Sequence, residues 1–298
     1  ASKFAAAVIA GSSSMLTEGI HSLVDSGNQI LLLYGRRRSQ QPPDPLHPLG
    51  YGREIYFWGF IVALLIFTTG AGMSFYEGWL HYRDPEMLTL PWVNFLVLGL
   101  AFLFEGTSLS IAFREFARTK PKDLGWWRAL RESKDPTVFV VLIEDSAALA
   151  GIVIAAIFIG LTVITGDPRW DGVGSMAIGV LLALVAILLA RECKALLIGE
   201  TADPAVQKSI ERIATAQTGV CLVNEVLTVQ LSPRQVVAMV SLDFEDKLTL
   251  EQVENIAAEI ERQAMEMHPE VMRLFIRPQP RQEASRERTR LASVRELD

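Results

Sequence analysis

Four stretches of this 298-residue chain, 55–76, 88–104, 146–166 and 172–190, contain no Asp, Glu, Lys or Arg. Each is close to the roughly 20 apolar residues that cross a hydrocarbon core about 30 Å thick. Such runs read as membrane helices. Half of the residues are hydrophobic, and one soluble helical core does not account for four such runs. The expected fold class is a multi-pass α-helical membrane protein.

Charge supplies the orientation. The net charge of -6 hides a segregation of sign. Arg36, Arg37 and Arg38 follow the first helical block. Arg114, Arg118, Lys120, Lys122, Arg128, Arg131 and Lys134 lie between or beside the middle runs, and Arg191 and Lys194 follow the last. The other loops are poor in Lys and Arg. The positive-inside rule therefore puts the basic loops and the C-terminal region in the cytoplasm. The first residue is Ala, and the opening ASKFAAAVIAG is too short to span. It reads as the end of a first membrane helix whose start is missing, not as a signal peptide. Further helices are expected at 15–34, 54–78, 91–115, 136–165 and 171–197. That makes six, with both termini cytoplasmic, and the lean loops suit a bacterial inner membrane. In the basic segment before residue 136, Trp126, Trp127 and Leu130 read equally as an interfacial patch or as part of a solvated linker. Cys193 and Cys221 suggest no disulfide framework.

The composition changes at Glu200, where acidic residues begin to outnumber basic ones well over twofold. Asp203-Pro204 is a helix start. Two strand-like runs follow, and in the second Val236, Ala238, Val240, Leu242 and Phe244 share one face at period two. Thr249 and Gln252 fit a capping box opening a helix over 250–268. VMRLFIR is a last strand. The order αββαβ predicts an α+β, ferredoxin-like sheet with helices on one face. The expected domains are a transmembrane domain at 1–199, a cytoplasmic dimerisation domain at 200–280 and a disordered tail at 281–298.

The exceptions to apolarity point to function. Glu18, His21 and Asp25 lie in the second helix, Glu105 in the fourth, Glu144 and Asp145 in the fifth, and Glu77 ends the third. An acid in hydrocarbon costs about 2.5 kcal/mol or more on insertion scales, so it tends to face the protein interior and to be functional. Residues four apart share a helix face, about 6 Å along the axis. An imidazole and a carboxylate at 21 and 25 can then converge on a metal about 2.0 to 2.2 Å from each. Asp145 is the partner from the fifth helix, and Glu144, Glu105 or water completes the set. Glu144 and Asp145 point about 100° apart on a helix, so they do not both reach one ion without bending. Glu18, near a helix end, caps or lines an entrance, and Glu77 is structural.

The segment SSSMLTEGIHSLVDSGNQ resembles the second membrane helix of the cation diffusion facilitator family, with its His-x-x-x-Asp signature. HPLGYGRE, IEDSAALAGIVIAA, WDGVGSMAIGVLLALVAILL and LLIGETADP resemble further segments of that family, over residues 1–280. The resemblance implies a dimeric exporter of divalent metal, mostly zinc, in exchange for protons. It implies His21, Asp25 and Asp145 as ligands. The fourth family position, four residues before Asp145, is Val141 here, which binds no metal. That departure, with the Glu-Asp pair, resembles the branch that includes the animal mitochondrial zinc exporter. Glu105 is the first substitute for the missing ligand and Glu144 the next.

Zn2+ is expected as transported substrate, with Mn2+, Fe2+ or Co2+ as rivals, and no permanently bound cofactor or nucleic-acid partner. Asp44 and His47 resemble half of a second zinc site, though Tyr51 stands where a further His is expected. The alternative there is a turn in which Asp44 bonds backbone amides. Two other classes compete: an intramembrane metal hydrolase, for which the chain lacks an HExxH motif, and a membrane scaffold with structural buried charges.

Overall fold

The computed structural model describes residues 13–85, 91–120, 125–126, 129 and 134–295. Within its helices, the side chains of 13–22, 25, 119, 291–292 and 294–295 lie outside that description. The expected first membrane helix also lies outside it. The chain divides into two compact units that part between Ala195 and Leu196.

The first unit is a helical bundle: α1 (Ser13–Ser39), α2 (Glu54–Arg83), α3 (Pro91–Thr119), α4 (Pro136–Thr165) and α5 (Arg169–Ile198). Among the described residues, α2, α3, α4 and α5 are long and apolar enough to cross a membrane. The polar residues of α1 keep it out of that set. The arginine triplet does not stop α1, as the sequence suggested, but forms its last turn. Arginine is a good helix former, and its charge complements the carbonyl end of the helix dipole. Helix α2 contains one wide π-helical stretch, Ile66–Ala71.

Helix α4 is defined at both ends. Asp135 accepts a hydrogen bond from the Thr137 amide at 3.0 Å, with Pro136 at the first helical position. Gly166 closes the helix at φ 71°, the left-handed region where a side chain is strained. α4 packs against α1 and α3. Helices α2 and α5 meet backbone to backbone: a Cβ on Gly78 would lie 2.7 Å from the Gly172 carbonyl oxygen. Small residues at such crossings let membrane helices approach closely.

Trp126 stacks on Phe113 of α3, with ring centroids 4.3 Å apart, so it belongs to the bundle's rim rather than a free linker. Trp127 and Leu130 lie outside the described residues.

The second unit holds α6 (Pro204–Thr215), β1 (Val220–Ser232), β2 (Gln235–Phe244), α7 (Leu250–Met267), β3 (Val271–Pro278) and α8 (Arg281–Arg295). The sheet order is β1-β2-β3. β1 and β2 are antiparallel neighbours, and β3 runs parallel to β2, so α7 is the crossover that a parallel pair requires. Both halves of the Thr249–Gln252 capping box are formed. Val236, Ala238, Val240 and Leu242 of β2 pack on Val206, Ile210 and Ile213 of α6 and on Ile260 and Ala264 of α7. Burying each large aliphatic side chain contributes about 1.5–3 kcal/mol.

The expected disorder after residue 280 is corrected. α8 is helical and docked: Ala284 is buried, Arg288 Nη2 donates to the Asn224 carbonyl at 2.7 Å, and Glu287 accepts from Arg277 at 3.0 Å and Gln279 at 2.8 Å. The Arg, Glu and Gln that lower its hydrophobicity are also strong helix formers, and a few polar anchors replace an apolar face.

Candidate metal centre

Two adjacent acids in the body of α4 are buried: Glu144 is 3% exposed and Asp145 is 7% exposed. Their roughly 100° separation around the helix sends them to different neighbours. Glu144 Oε1 accepts a 2.6 Å hydrogen bond from Nδ2 of Asn28 on α1. Asp145 Oδ2 accepts one of 2.9 Å from the Ser108 hydroxyl on α3. Glu105, half-buried, stands three residues before Ser108 on the same face of α3, near enough that its charge repels Asp145. Thus Asp145 is tied to α3 through Ser108, and Glu144 to α1 through Asn28.

Positions 21, 25 and 28 of α1 repeat at i, i+4 and i+7, one face of a helix. The side chains of His21 and Asp25 lie outside the described residues. Among the described residues, no three His, Cys, Asp or Glu side chains gather around one point. Val141, one turn before Asp145, is half-buried and contributes no donor atom.

Asn28 and Ser108 escaped the sequence reading, which followed charge and ignored neutral polar residues. Extending the His21–Asp25 stripe by one turn reaches Asn28, and extending the Glu105 face by three residues reaches Ser108. Asn28 is 1% exposed, and its Oδ1 has no hydrogen-bond partner among the described residues. Such a buried, unsatisfied acceptor costs about 1–3 kcal/mol.

The loop between α1 and α2 adopts the turn reading. Asp44 Oδ1 accepts from the amides of Leu46 at 2.9 Å and His47 at 2.6 Å, and Oδ2 accepts from the Tyr51 hydroxyl at 2.6 Å. The Tyr51 hydroxyl, then the His47 amide, hold the Asp44 carboxyl below its ordinary range. Both oxygens are thus engaged by donors within the loop. The His47 ring lies against Tyr51, centroids 4.2 Å apart, with its Nδ1 3.3 Å from Asp44 Oδ1.

Residues 1–198 match the model of the cation efflux transmembrane domain. The mouse protein named proton-coupled zinc antiporter SLC30A9, mitochondrial, is 35% identical over 248 residues, 83% of this chain and 44% of that protein. Its human counterpart is 34% identical over the same share of this chain. Metal tolerance protein C4 of Arabidopsis thaliana is 36% identical over 199 residues, 63% of this chain and 42% of that protein. The chain spans less than half the length of these relatives.

Proposed function

The chain belongs to the cation efflux family, and on that premise we propose that it is a proton-coupled zinc efflux transporter rather than an enzyme. The observation that carries the reading is the adjacent buried pair Glu144 and Asp145, turned toward different helices inside an apolar bundle. Two acids so close in a medium that disfavours charge need a neutraliser, and a divalent cation and protons are the two that fit. His21 and Asp25 on α1 join Asp145 in holding the ion, with Glu105 and Glu144 as the oxygen donors at hand where Val141 supplies none. Zinc suits one imidazole with carboxylates. The relatives named as zinc antiporters support that choice.

Cytoplasmic zinc enters and displaces protons, because ligands bind metal only when deprotonated. The bundle opens to the far side, where protons compete for the same lone pairs and release the ion. The protonated site then returns. Manganese, iron or cobalt would travel the same route if the oxygen donors dominate. The protein is an integral membrane protein with several spans. The distribution of Lys and Arg supports a cell membrane with the C-terminal domain in the cytoplasm, and that domain joins two copies into a homodimer.

Purified protein in vesicles is expected to move Zn2+ when a pH difference is imposed, and Asp25→Ala or Asp145→Ala to abolish the flux. Parental uptake by both variants would sink the assignment. A scaffold with structural charges predicts instead that removing the acids harms folding rather than flux.

A further inference from the structure

Asn28 has an amide with two unlike halves. Nδ2 donates to Glu144 at 2.6 Å, while Oδ1, equally enclosed, has no hydrogen-bond partner among the described residues. A buried carbonyl oxygen without a donor is unusual enough to need a reason. Position 28 continues the helical stripe of positions 21 and 25, and it faces the same helix, α4, that carries both acids.

We propose that Asn28 is a further cation-binding and specificity-determining residue: its Nδ2 fixes the Glu144 carboxylate, and its Oδ1 is a neutral oxygen donor for the divalent ion. This inference deepens the zinc reading above and rests on it. The residue type fits the electrostatics. Asp25 and Glu144 already match the charge of an ion of +2. A further carboxylate beside Glu144 would add repulsion, whereas an amide adds a ligand oxygen without charge. Its N–H also orients the neighbouring carboxylate, the role that outer partners play at metal sites. An extra oxygen donor in place of the one that Val141 lacks shifts the site toward harder ions. Asn28 thereby sets how far manganese is admitted alongside zinc.

The test compares the parent chain with Asn28→Leu, close in size but without donor or acceptor, and with the exchange Asn28→Asp/Glu144→Gln, which preserves a carboxylate–amide pair. Uptake of Zn2+ and of Mn2+ is measured in vesicles under one pH difference, with Asp25→Ala alongside. Asn28→Leu is expected to raise the KM for zinc about tenfold, to lower the Mn2+ to Zn2+ uptake ratio and to leave kcat close to the parent's. The exchange is expected to recover most of the loss. Parental KM and metal ratio in Asn28→Leu, while Asp25→Ala is inactive, overturns the role of Asn28 alone. An exchange variant that folds yet stays as defective as Asn28→Leu also overturns it. Full activity in Asp25→Ala instead overturns the underlying site.

Discussion

Removing the Ser108 hydroxyl isolates what holds Asp145. That hydroxyl donates to Asp145 Oδ2 at 2.9 Å across the α3–α4 contact. A hydrogen bond to a charged group contributes about 1.5–3 kcal/mol. Asp145 is buried but Ser108 itself is exposed, which places the interaction at the low end, about 1.5 kcal/mol. At roughly 1.4 kcal/mol per decade, Ser108→Ala is expected to raise the zinc concentration at half-maximal uptake about tenfold. The turnover at saturating zinc changes less, because the carboxylate remains and only its orientation is released. Ser108→Thr keeps the hydroxyl and is expected to stay near the parent. Ser110→Ala serves as control, since among the described residues Ser110 bonds the Gly106 carbonyl of its own helix at 2.7 Å. The assay is zinc uptake into vesicles at fixed inner and outer pH, over a zinc series. If Ser108→Ala and Ser110→Ala gave the same half-saturation as the parent, the reasoning from the Ser108–Asp145 contact would fail.

Three further outcomes follow from contacts elsewhere. Gly78→Ala puts a methyl group against the α5 backbone, a Cβ 2.7 Å from the Gly172 oxygen and the Met176 nitrogen, and should destabilise the bundle by about 1–3 kcal/mol; an unchanged melting temperature in detergent would refute this. Tyr51→Phe removes the largest influence holding Asp44 below its ordinary range, so the Asp44 carboxyl should titrate at higher pH in carbon-13 NMR. Because its folded value is lowered, the contribution of the Asp44 turn is present above the ordinary carboxylate range and is lost as pH falls through the lowered value. An unmoved titration would count against the Tyr51–Asp44 hydrogen bond. Arg288→Ala breaks the tie between α8 and the Asn224 carbonyl; amide exchange over 281–295 should speed up while zinc uptake is unaffected, and unchanged exchange would show that other contacts hold the helix.

Charge-free length made the membrane helices legible, because nothing else explains such runs. Caps were equally plain at Asp203-Pro204 and Thr249–Gln252, where side-chain chemistry is local. The register of β2 followed from alternation. The acids of α4 stood out because they violate their surroundings. What stayed hidden depends on contacts between distant segments: Asn28 meets Glu144 across 116 residues of chain, and neither Asn28 nor Ser108 carries a charge to mark it. The end of α1 was misjudged because a run of arginines looks like a boundary, although arginine propagates a helix well. The tail was misjudged for a related reason: low hydrophobicity does not rule out order when a few polar side chains find partners on a strand.

The wide turn at Ile66–Ala71 lets α2 keep one seam. Buried positions step at Ile55, Gly59, Val62 and Ile66 up to its start, at Gly70 and Ala71 within it, and at Ser74 and Gly78 after it. The wide turn takes up one residue more than an α turn, and Gly59 comes opposite Cys193, Gly70 opposite Leu182 and Gly78 opposite Gly172. A chain shortened by Thr68 alone would therefore straighten into ordinary α-helix with its partner-facing edge still aligned. The same excision made outside the wide turn would swing one part of the helix against the other by about 100°.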